Sequence, residues 1–519
     1  MARLITLKFR DLGSIGIAQS PDILSSQLPP EAWTSGRNVL FRGGKVEKAM
    51  GMEEWDDSPR GMVKFMFLWR EGERPKWIYC VDSMVFEGDG KNSSVVSGRV
   101  SSGKWTGGTL NGLPFLNTGD LSRPPLVWNG DLNRFVDMPN WPEGATVRYL
   151  FRHRNYLIGL QTQGWDVGVL RPNGFCWSHP ADPGQPPRSW DWKDPTMLAG
   201  LHTLGGFDDK LVCVAPFGRG VAIYSEKHCW VGELNGNTSV WNFSDPLDVG
   251  AIGPYAATIF SGGHFVVGSG DVAIHDGTSR QSIFQNKALR AFYNDLVPEL
   301  AQKIFLVKFD MRQEIWIFYP SMELGDTFGC SKAMVWNWQY KTVSVRDFPK
   351  PVGFAAEGRV SSQVPGANKF LTTDTEDAVG EMFGKKEEEF LLGGDGWFAE
   401  GEKGELEFNL PMNSWVERRD LAMDIDPVSQ KIVVSGGNAK TLLRAYPQME
   451  GGPVNFFFAA RDTLREALNW QGPFYFDPGR DFAVDPIVAG KFISYRVESF
   501  GMQTWKLSGI DFDLRVGKY

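Results

Sequence analysis

DKLVCVAPFGRGVAIYSEKHCWVGEL, residues 209–234, decides the fold. Three apolar runs of strand length are separated by a Gly-rich turn at 218–220 and a polar turn at 226–228. Runs of this size, rich in Val, Ile, Tyr and Trp and punctuated by turn residues, read as antiparallel strands. Each run is too short for an ordinary helix, and the turns are too tight for a crossover.

The same grammar extends in both directions. Downstream come GGHFVVGSGDVAIHDGTSRQSI (262–283), KIFLVKFDMRQEIWIFYPS (303–321) and KAMVWNWQYKTVSVRD (332–347). Upstream lie MVKFMFLW (62–69), KWIYCVDSMVFEGDGK (76–91) and RYLFRHRNYLIGLQT (148–162), the last folding back at Arg154-Asn155. Strands spaced 8–12 residues apart predict a sandwich, barrel or propeller, and their grouping in fours favours a propeller. No Trp-Asp signature recurs at a fixed period, so the blades are divergent.

Near the start, NVLFRGGKVEK (38–48) predicts a hairpin. Gly43 and Gly44 both accept positive φ, as a two-residue type I′ turn demands. The register sets Arg42 opposite Lys45 and Phe41 opposite Val46, with Val39 on the buried face and Leu40 and Glu47 on the other. This hairpin is expected to meet the C-terminal strands in KFISYRVES (491–499) and KLSGIDFDLRV (506–516), closing the propeller and leaving no free edge.

Helix is scarce. NKALRAFYNDLVPELAQK (286–303) carries one apolar stripe and is divided by Pro298. ARDTLREALNW (460–470) is a second short candidate.

The bulk numbers agree with an all-β chain. Among 519 residues are 59 Gly, 31 Pro, 20 Trp and 36 Phe, and 42% are hydrophobic, which excludes the low-hydrophobicity type of disorder. A net charge of −8 makes the chain a poor phosphate gripper, although an acidic wall lets DNA slide past. Cys80, Cys176, Cys213, Cys229 and Cys330 are odd in number and scattered, which reads as reduced thiols and not as a disulfide or zinc framework. The N-terminus MARLITLKFRDLGS has no secretory pattern, and no run is long enough to span a bilayer. The N-x-S/T matches at Asn92, Asn237 and Asn242 are therefore chance.

Neither G-x-S-x-G nor G-x-x-x-x-G-K-[ST] occurs, and GSGDVA (268–273) precedes a strand, whereas a dinucleotide fingerprint opens a helix. His264 and His275 fall on adjacent strands, but packed or surface histidines are the simpler reading than a metal pair. EGDGKNS, IHDGTSR and GGDGWF are faintly like the aspartate turns of sialidase-like propellers, yet Asp-Gly is common hairpin chemistry. No cofactor and no catalytic residue is expected.

Two stretches differ in composition. Residues 175–200, dense in Pro and Trp, read as a long irregular loop, and residues 381–406 as an acidic, Gly-rich insertion. Candidate interface or gate residues there and near the start are Trp33, Arg37, Trp177, Asp182, Trp190, Trp192, Lys385, Glu387, Glu388 and Trp397. Most other tryptophans sit within strand patterns and belong to the core.

Six fragments in order carry a resemblance: LPPEAWTSGRNVLFRGGKVEKAMG (28–51), NGLPFLNTGDLSRPPLVWNG (111–130), WSHPADPGQPPRSWDWKDP (177–195), HFVVGSGDVAIHDGTS (264–279), WVERRDLAMD (415–424) and GKFISYRVESFGMQTWKLSGIDFDL (490–514). Together they resemble the tail nozzle proteins of short-tailed bacteriophages, also called tail tubular protein B or packaged-DNA stabilisation proteins. The resemblance implies an all-β chain, a divergent propeller of six or so blades carrying a platform and loop insertions. It implies a homo-hexamer in the virion tail, assembled in the host cytoplasm. The ring docks under the portal-adaptor protein, bears tail fibre or needle proteins, and passes genomic dsDNA without sequence-specific binding and without a membrane span. The expected layout is residues 1–55 as hairpin and platform, 56–375 as propeller with the loop at 175–200, 376–410 as the acidic insertion, and 411–519 as closing strands. The alternative is a carbohydrate-binding or carbohydrate-degrading propeller that recognises a receptor.

Overall fold

The computed structural model describes residues 3–18, 23–71, 74–89, 92–99, 101, 103–166, 168–235, 240–283, 288–361, 386–425, 432–433 and 438–516. Five four-stranded antiparallel meanders follow one another along the chain. Blade 1 begins with Phe65–Glu71, blade 2 with Thr106–Leu110, blade 3 with Thr146–His153, blade 4 with Leu211–Phe217 and blade 5 with Ala257–Phe260. Blade 6 begins with Phe305–Phe309 and runs on through Glu314–Tyr319, Cys330–Asn337 and the 20-residue strand Thr342–Ser361. The fold is an all-β propeller of six blades with few, short helices.

The first strands form the inner wall. Each packs on the first strand of the next blade, from blade 1 round to blade 6. The ring closes through the long strand, which touches Phe305–Phe309 on one side and Phe65–Glu71 on the other. Its path follows from its sequence. Up to Asp347, and once more at Val352, it pairs with Cys330–Asn337, and from Val352 onward it pairs with Lys386–Gly394. Pro349 and Pro351 lie at the handover and cannot donate to either ladder, so the strand changes partner there. Gly353 then lets it lie directly on blade 1, since a Cβ there would be 2.1 Å from the carbonyl oxygen of Val63.

Blade 6 is wider than the others. Lys386–Gly394, Phe398–Gly401, Met52–Glu54, Leu406–Glu407 and Leu410–Pro411 extend it to nine strands. The acidic stretch read as a loop insertion is therefore sheet from Lys386 onward, its Phe390, Leu391, Leu392 and Phe398 buried in the core shared by blades 1, 2 and 6. The polar residues had masked the alternation of a covered strand.

Both chain ends build one sandwich. One sheet contains Arg3–Phe9, Val39–Arg42, Lys45–Lys48, Lys440–Gly451, Val488–Gly490 and Trp505–Val516; the other contains Ser35–Arg37, Ser414–Leu421, Val454–Arg461, Gln471–Phe476 and Phe492–Ser499. The hairpin meets the C-terminal strand at Val46↔Leu507 and Glu47↔Lys506. This pairing closes the platform and not the propeller, as the sequence reading had placed it. The propeller needs no help from the termini because the long strand already seals it.

The hairpin joins the two bodies. Gly43 and Gly44 have φ of +55° and +74°, and Phe41 lies opposite Val46. Val39, Phe41 and Val46 enter the sandwich core. Leu40, on the opposite face, is also buried, within the core of blades 1, 2 and 6. The hairpin is therefore covered on both sides, the Leu40 face as well as the Val39–Phe41–Val46 face.

The helix region divides as Leu289–Asp295 and a 3-10 turn Pro298–Lys303. Residues 460–470 form no helix: Arg461 ends a strand and turns and bends follow. Among the described residues no helix is long and apolar enough to cross a membrane.

Candidate functional site

The starts of the first strands of blades 1, 2 and 3, with the approaches to blades 5 and 6, enclose a cavity of about 340 Å³. Blade 1 contributes Lys64, blade 2 Lys104 and Trp105, blade 3 Arg148 and Tyr149, and the approaches to blades 5 and 6 contribute Tyr255 and Lys303. The lining holds four cations and no Asp or Glu.

Those cations are only partly answered. Lys64 Nζ lies 3.2 Å from Asp82 Oδ1, an exposed carboxylate outside the lining. Lys303 Nζ donates to the carbonyl oxygen of Phe328 at 2.7 Å, and Lys104 Nζ donates to that of Gln302. Neutral carbonyls do not cancel a charge. Burial, with the Lys303 charge beside it, brings the Lys104 ammonium down to about 7. Burial and Lys64 also lower Lys303. The indole N–H of Trp105 is buried without a hydrogen-bond partner.

Rings from blades 1, 5 and 6 pack together at the cavity wall. Phe65 stacks on Tyr255 at 5.4 Å and meets Phe354 edge-on at 5.2 Å, and Phe354 stacks on Phe305 at 4.7 Å. The cavity itself is a half-enclosed cup.

A second polar cluster lies buried between blades 4 and 5. His264 and His275 are directly opposite on adjacent strands. Tyr224 Oη lies 2.7 Å from His264 Nδ1 and 2.6 Å from His275 Nε2. The protons can be placed by following the chain. His264 Nε2 is 2.5 Å from the carbonyl oxygen of Pro216 and must donate to it. Its Nδ1 therefore accepts from the Tyr224 hydroxyl, which accepts in turn from His275 Nε2–H. His275 Nδ1 is left to accept from the Gly277 N–H at 3.2 Å. Every ring nitrogen is satisfied in the neutral state. Burial holds both imidazoles down to about 4. Among the described residues no group of three or more His, Cys, Asp or Glu could hold a metal.

The residues singled out from sequence are dispersed. Trp33 is buried in the sandwich, its Nε1 donating to Leu12 O at 2.7 Å and its ring edge-on to Tyr495. Trp177 donates to Leu198 O, and Trp190 is buried against Trp141 and Trp165. Trp397 packs on Phe408 inside widened blade 6. These four indoles pack within their own chain and offer little to a neighbouring subunit. The Pro-rich loop is irregular from Ser178 to Ala199, while Phe175–Trp177 and Gly200, read as part of it, belong to strands of blade 3; Trp190 pins the loop to the core of blades 2 and 3. Trp192 is the exposed one, with Lys193 above its ring at 5.3 Å. Asp182 pairs with Arg188 on the surface. Arg37 bridges Glu323 and Asp347. Lys385 lies outside the described residues; Glu387 and Glu388 are placed in strand Lys386–Gly394, opposite Val360 and Arg359.

The axial cations were missed. A signal existed: Lys64, Lys104, Arg148, Lys210 and Lys303 each lie within two residues of the start of a blade's first strand. All but Lys210 line the cavity.

Fold and site define an all-β protein: a six-bladed propeller fused to a β-sandwich, with a cationic cup on the propeller axis. No family model matches the chain. No curated protein matches it either. A solved structure, the extracellular domain of a hybrid two-component system from B. thetaiotaomicron, superposes with a TM-score of 0.39 at 9% identity, over 88% of this chain and 58% of that one. The chain thus spans less than two thirds of that structure, and so remote a likeness carries no functional meaning.

Proposed function

We propose that the chain is a structural subunit of a short-tailed phage tail. Six copies form a nozzle ring below the portal adaptor, hold packaged DNA and conduct it at ejection. The order of sequence fragments supports this reading, since they resemble that group along most of the chain. One structural observation carries it: six divergent blades are joined to a platform built from both chain ends, the architecture the resemblance calls for. In this reading the conduit lies between copies. Six chains at −8 each carry roughly −48, and acidic side chains facing that conduit would keep DNA from sticking.

Negative-stain imaging of the purified chain, alone and mixed with its adaptor ring, tests the proposal. Six-fold rings with an open lumen are the expected result. Monomers under both conditions overturn it. The alternative, a carbohydrate-active propeller, needs two carboxylates facing across a pocket. The axial cup presents none among the described residues. Release of reducing sugar from a host surface polysaccharide would favour that alternative.

A further inference from the structure

We propose that the axial cup is a binding site for a small molecule bearing a phosphate group. The inference is independent of ring assembly and rests on the cup itself.

Cations brought together by folding repel one another. Lys64, Lys104, Arg148 and Lys303 come from four separate blades, and no acidic side chain in the lining offsets them. Elsewhere buried cations are met either by carboxylates, as Lys332 is by Asp295 and Glu323 and Arg346 by Glu407, or singly by backbone carbonyls, as Lys48 and Arg418 are; the cup differs in gathering four cations at one place. In the cup, Lys104 and Lys303 have backbone carbonyls, whose geometry positions the ammonium groups without neutralising them. Clustered cations in a half-enclosed, partly apolar cup favour a compact dianion, for which each charge-assisted bond is stronger than in water.

The walls add a second requirement. Trp105, Tyr255 and Phe354 give the cup an apolar floor, and Phe328 stands half-exposed at its rim. A volume of about 340 Å³ is at the lower end of small-ligand sites and holds a phosphate with a small ring attached. A phosphate monoester meets both requirements, and inorganic phosphate meets the first.

Isothermal titration of the full chain separates these sources. The probes are inorganic sulfate, whose charge is constant from pH 6 to 9, adenosine monophosphate, and ribose as the uncharged control. Sulfate and the nucleotide should each bind once per chain, the nucleotide more tightly, and ribose not at all. Lys104→Met and Lys303→Met should each weaken sulfate binding about tenfold or more. Thermal melts guard against misfolding: removing a cation from a repelling cluster should leave the melting temperature unchanged or raise it. A lowered melting temperature with unaltered sulfate affinity would show a purely structural lysine and overturn the proposal. So would the absence of sulfate and nucleotide binding up to about 10 mM, or binding of duplex DNA that survives both substitutions.

A proton count gives a second readout. Lys104 faces Lys303, with Lys64, Arg148 and Tyr149 around the same cup and Asp82 and Asp326 behind Lys64 and Lys303. An anion restores the charged form of Lys104. Sulfate binding near pH 8 should therefore take up protons, and its affinity should fall as pH rises from 6 to 9. Lys104→Met should abolish the uptake. Uptake that persists in that variant would show that Lys104 is not the group engaged.

Discussion

Arg42, at the end of the first hairpin strand, holds Glu314 of blade 6 through two hydrogen bonds, Nε to Oε1 at 2.6 Å and Nη2 to Oε2 at 2.7 Å. Glu314 is 1% exposed, and Glu47 and Glu402 approach the same guanidinium. Burial pulls the Arg42 pKa down, but the bond to Glu314 and these further carboxylates outweigh it and the net shift is upward. A fork-shaped pair of this kind welds sandwich to propeller in one orientation.

Removing one partner should cost far more than removing both. Glu314→Ala leaves Arg42 half-buried without its main partner and should destabilise the chain by about 3 kcal/mol in chemical denaturation. Arg42→Met combined with Glu314→Leu should recover much of that loss. A double variant no more stable than Glu314→Ala would mean the pair is not coupled.

The hairpin itself tests backbone strain. No atom lies within 4 Å of a Cβ built at Gly43, so only its φ of +55° restricts the residue. Gly43→Asn should fold with little loss, because Asn tolerates the left-handed region. Gly43→Val should lose roughly 1–2 kcal/mol, and the Gly43→Val/Gly44→Val double variant should fail to yield folded protein. Equal stability of the Asn and Val variants would contradict the turn geometry.

How far the sequence could be read follows from the range of each interaction. Hairpins are local: the Gly43-Gly44 turn sets a register that the structure shows residue for residue, and the chain folds back at Arg154-Asn155 as its turn residues indicate. Strand grouping in fours is nearly local, so the propeller was legible too. Pro298 likewise divides the helical stretch where its missing N–H demands. The widened blade 6 was not legible, because Met52–Glu54 joins Phe398–Gly401 across more than three hundred residues. Leu40 gave no clue to its second buried face, which exists only because the propeller packs beneath the platform. The axial cations share a position in each blade but no contiguous motif, and divergence among blades hides such a position until the ring is closed.

Closure of that ring depends on a missing side chain. A Cβ on Gly353 would lie 2.1 Å from the carbonyl oxygen of Val63 and 3.0 Å from the sulfur of Met62. Backbone cannot move aside as a side chain can. Gly353→Ala should therefore destabilise by about 1–3 kcal/mol and Gly353→Val should prevent folding. Near-UV circular dichroism, to which the buried aromatic rings of the core contribute, reports the loss. A Gly353→Ala protein as stable as the parent would mean the long strand does not seal blade 1.

The Tyr224–His264–His275 chain makes the junction of blades 4 and 5 acid-sensitive. Both histidines have folded-state values of about 4, below the 6.5 of a free imidazole, chiefly through burial. For His264 the neighbouring His275 adds to that depression; for His275 the nearby Asp276 opposes it. A depressed value means the unfolded chain binds the proton first. The stabilisation is therefore complete above pH 6.5 and is lost as pH falls toward 4, at about 3 kcal/mol for each histidine at the limit. Protonated His264 would present a donor at Nδ1 to a hydroxyl already accepting from His275, so the tautomer chain cannot survive charging. His153, also held to about 4 by burial, adds to the same slope. Melting temperature measured between pH 7 and pH 4 should drop steeply. Replacing His264 and His275 with Gln should flatten the curve, whatever it does to stability at pH 7. Tyr224→Phe should lower stability at pH 7, since it strands His264 Nδ1 and the N–H of His275 in a buried site. An unchanged pH slope in the double Gln variant would place the acid sensitivity elsewhere in the molecule.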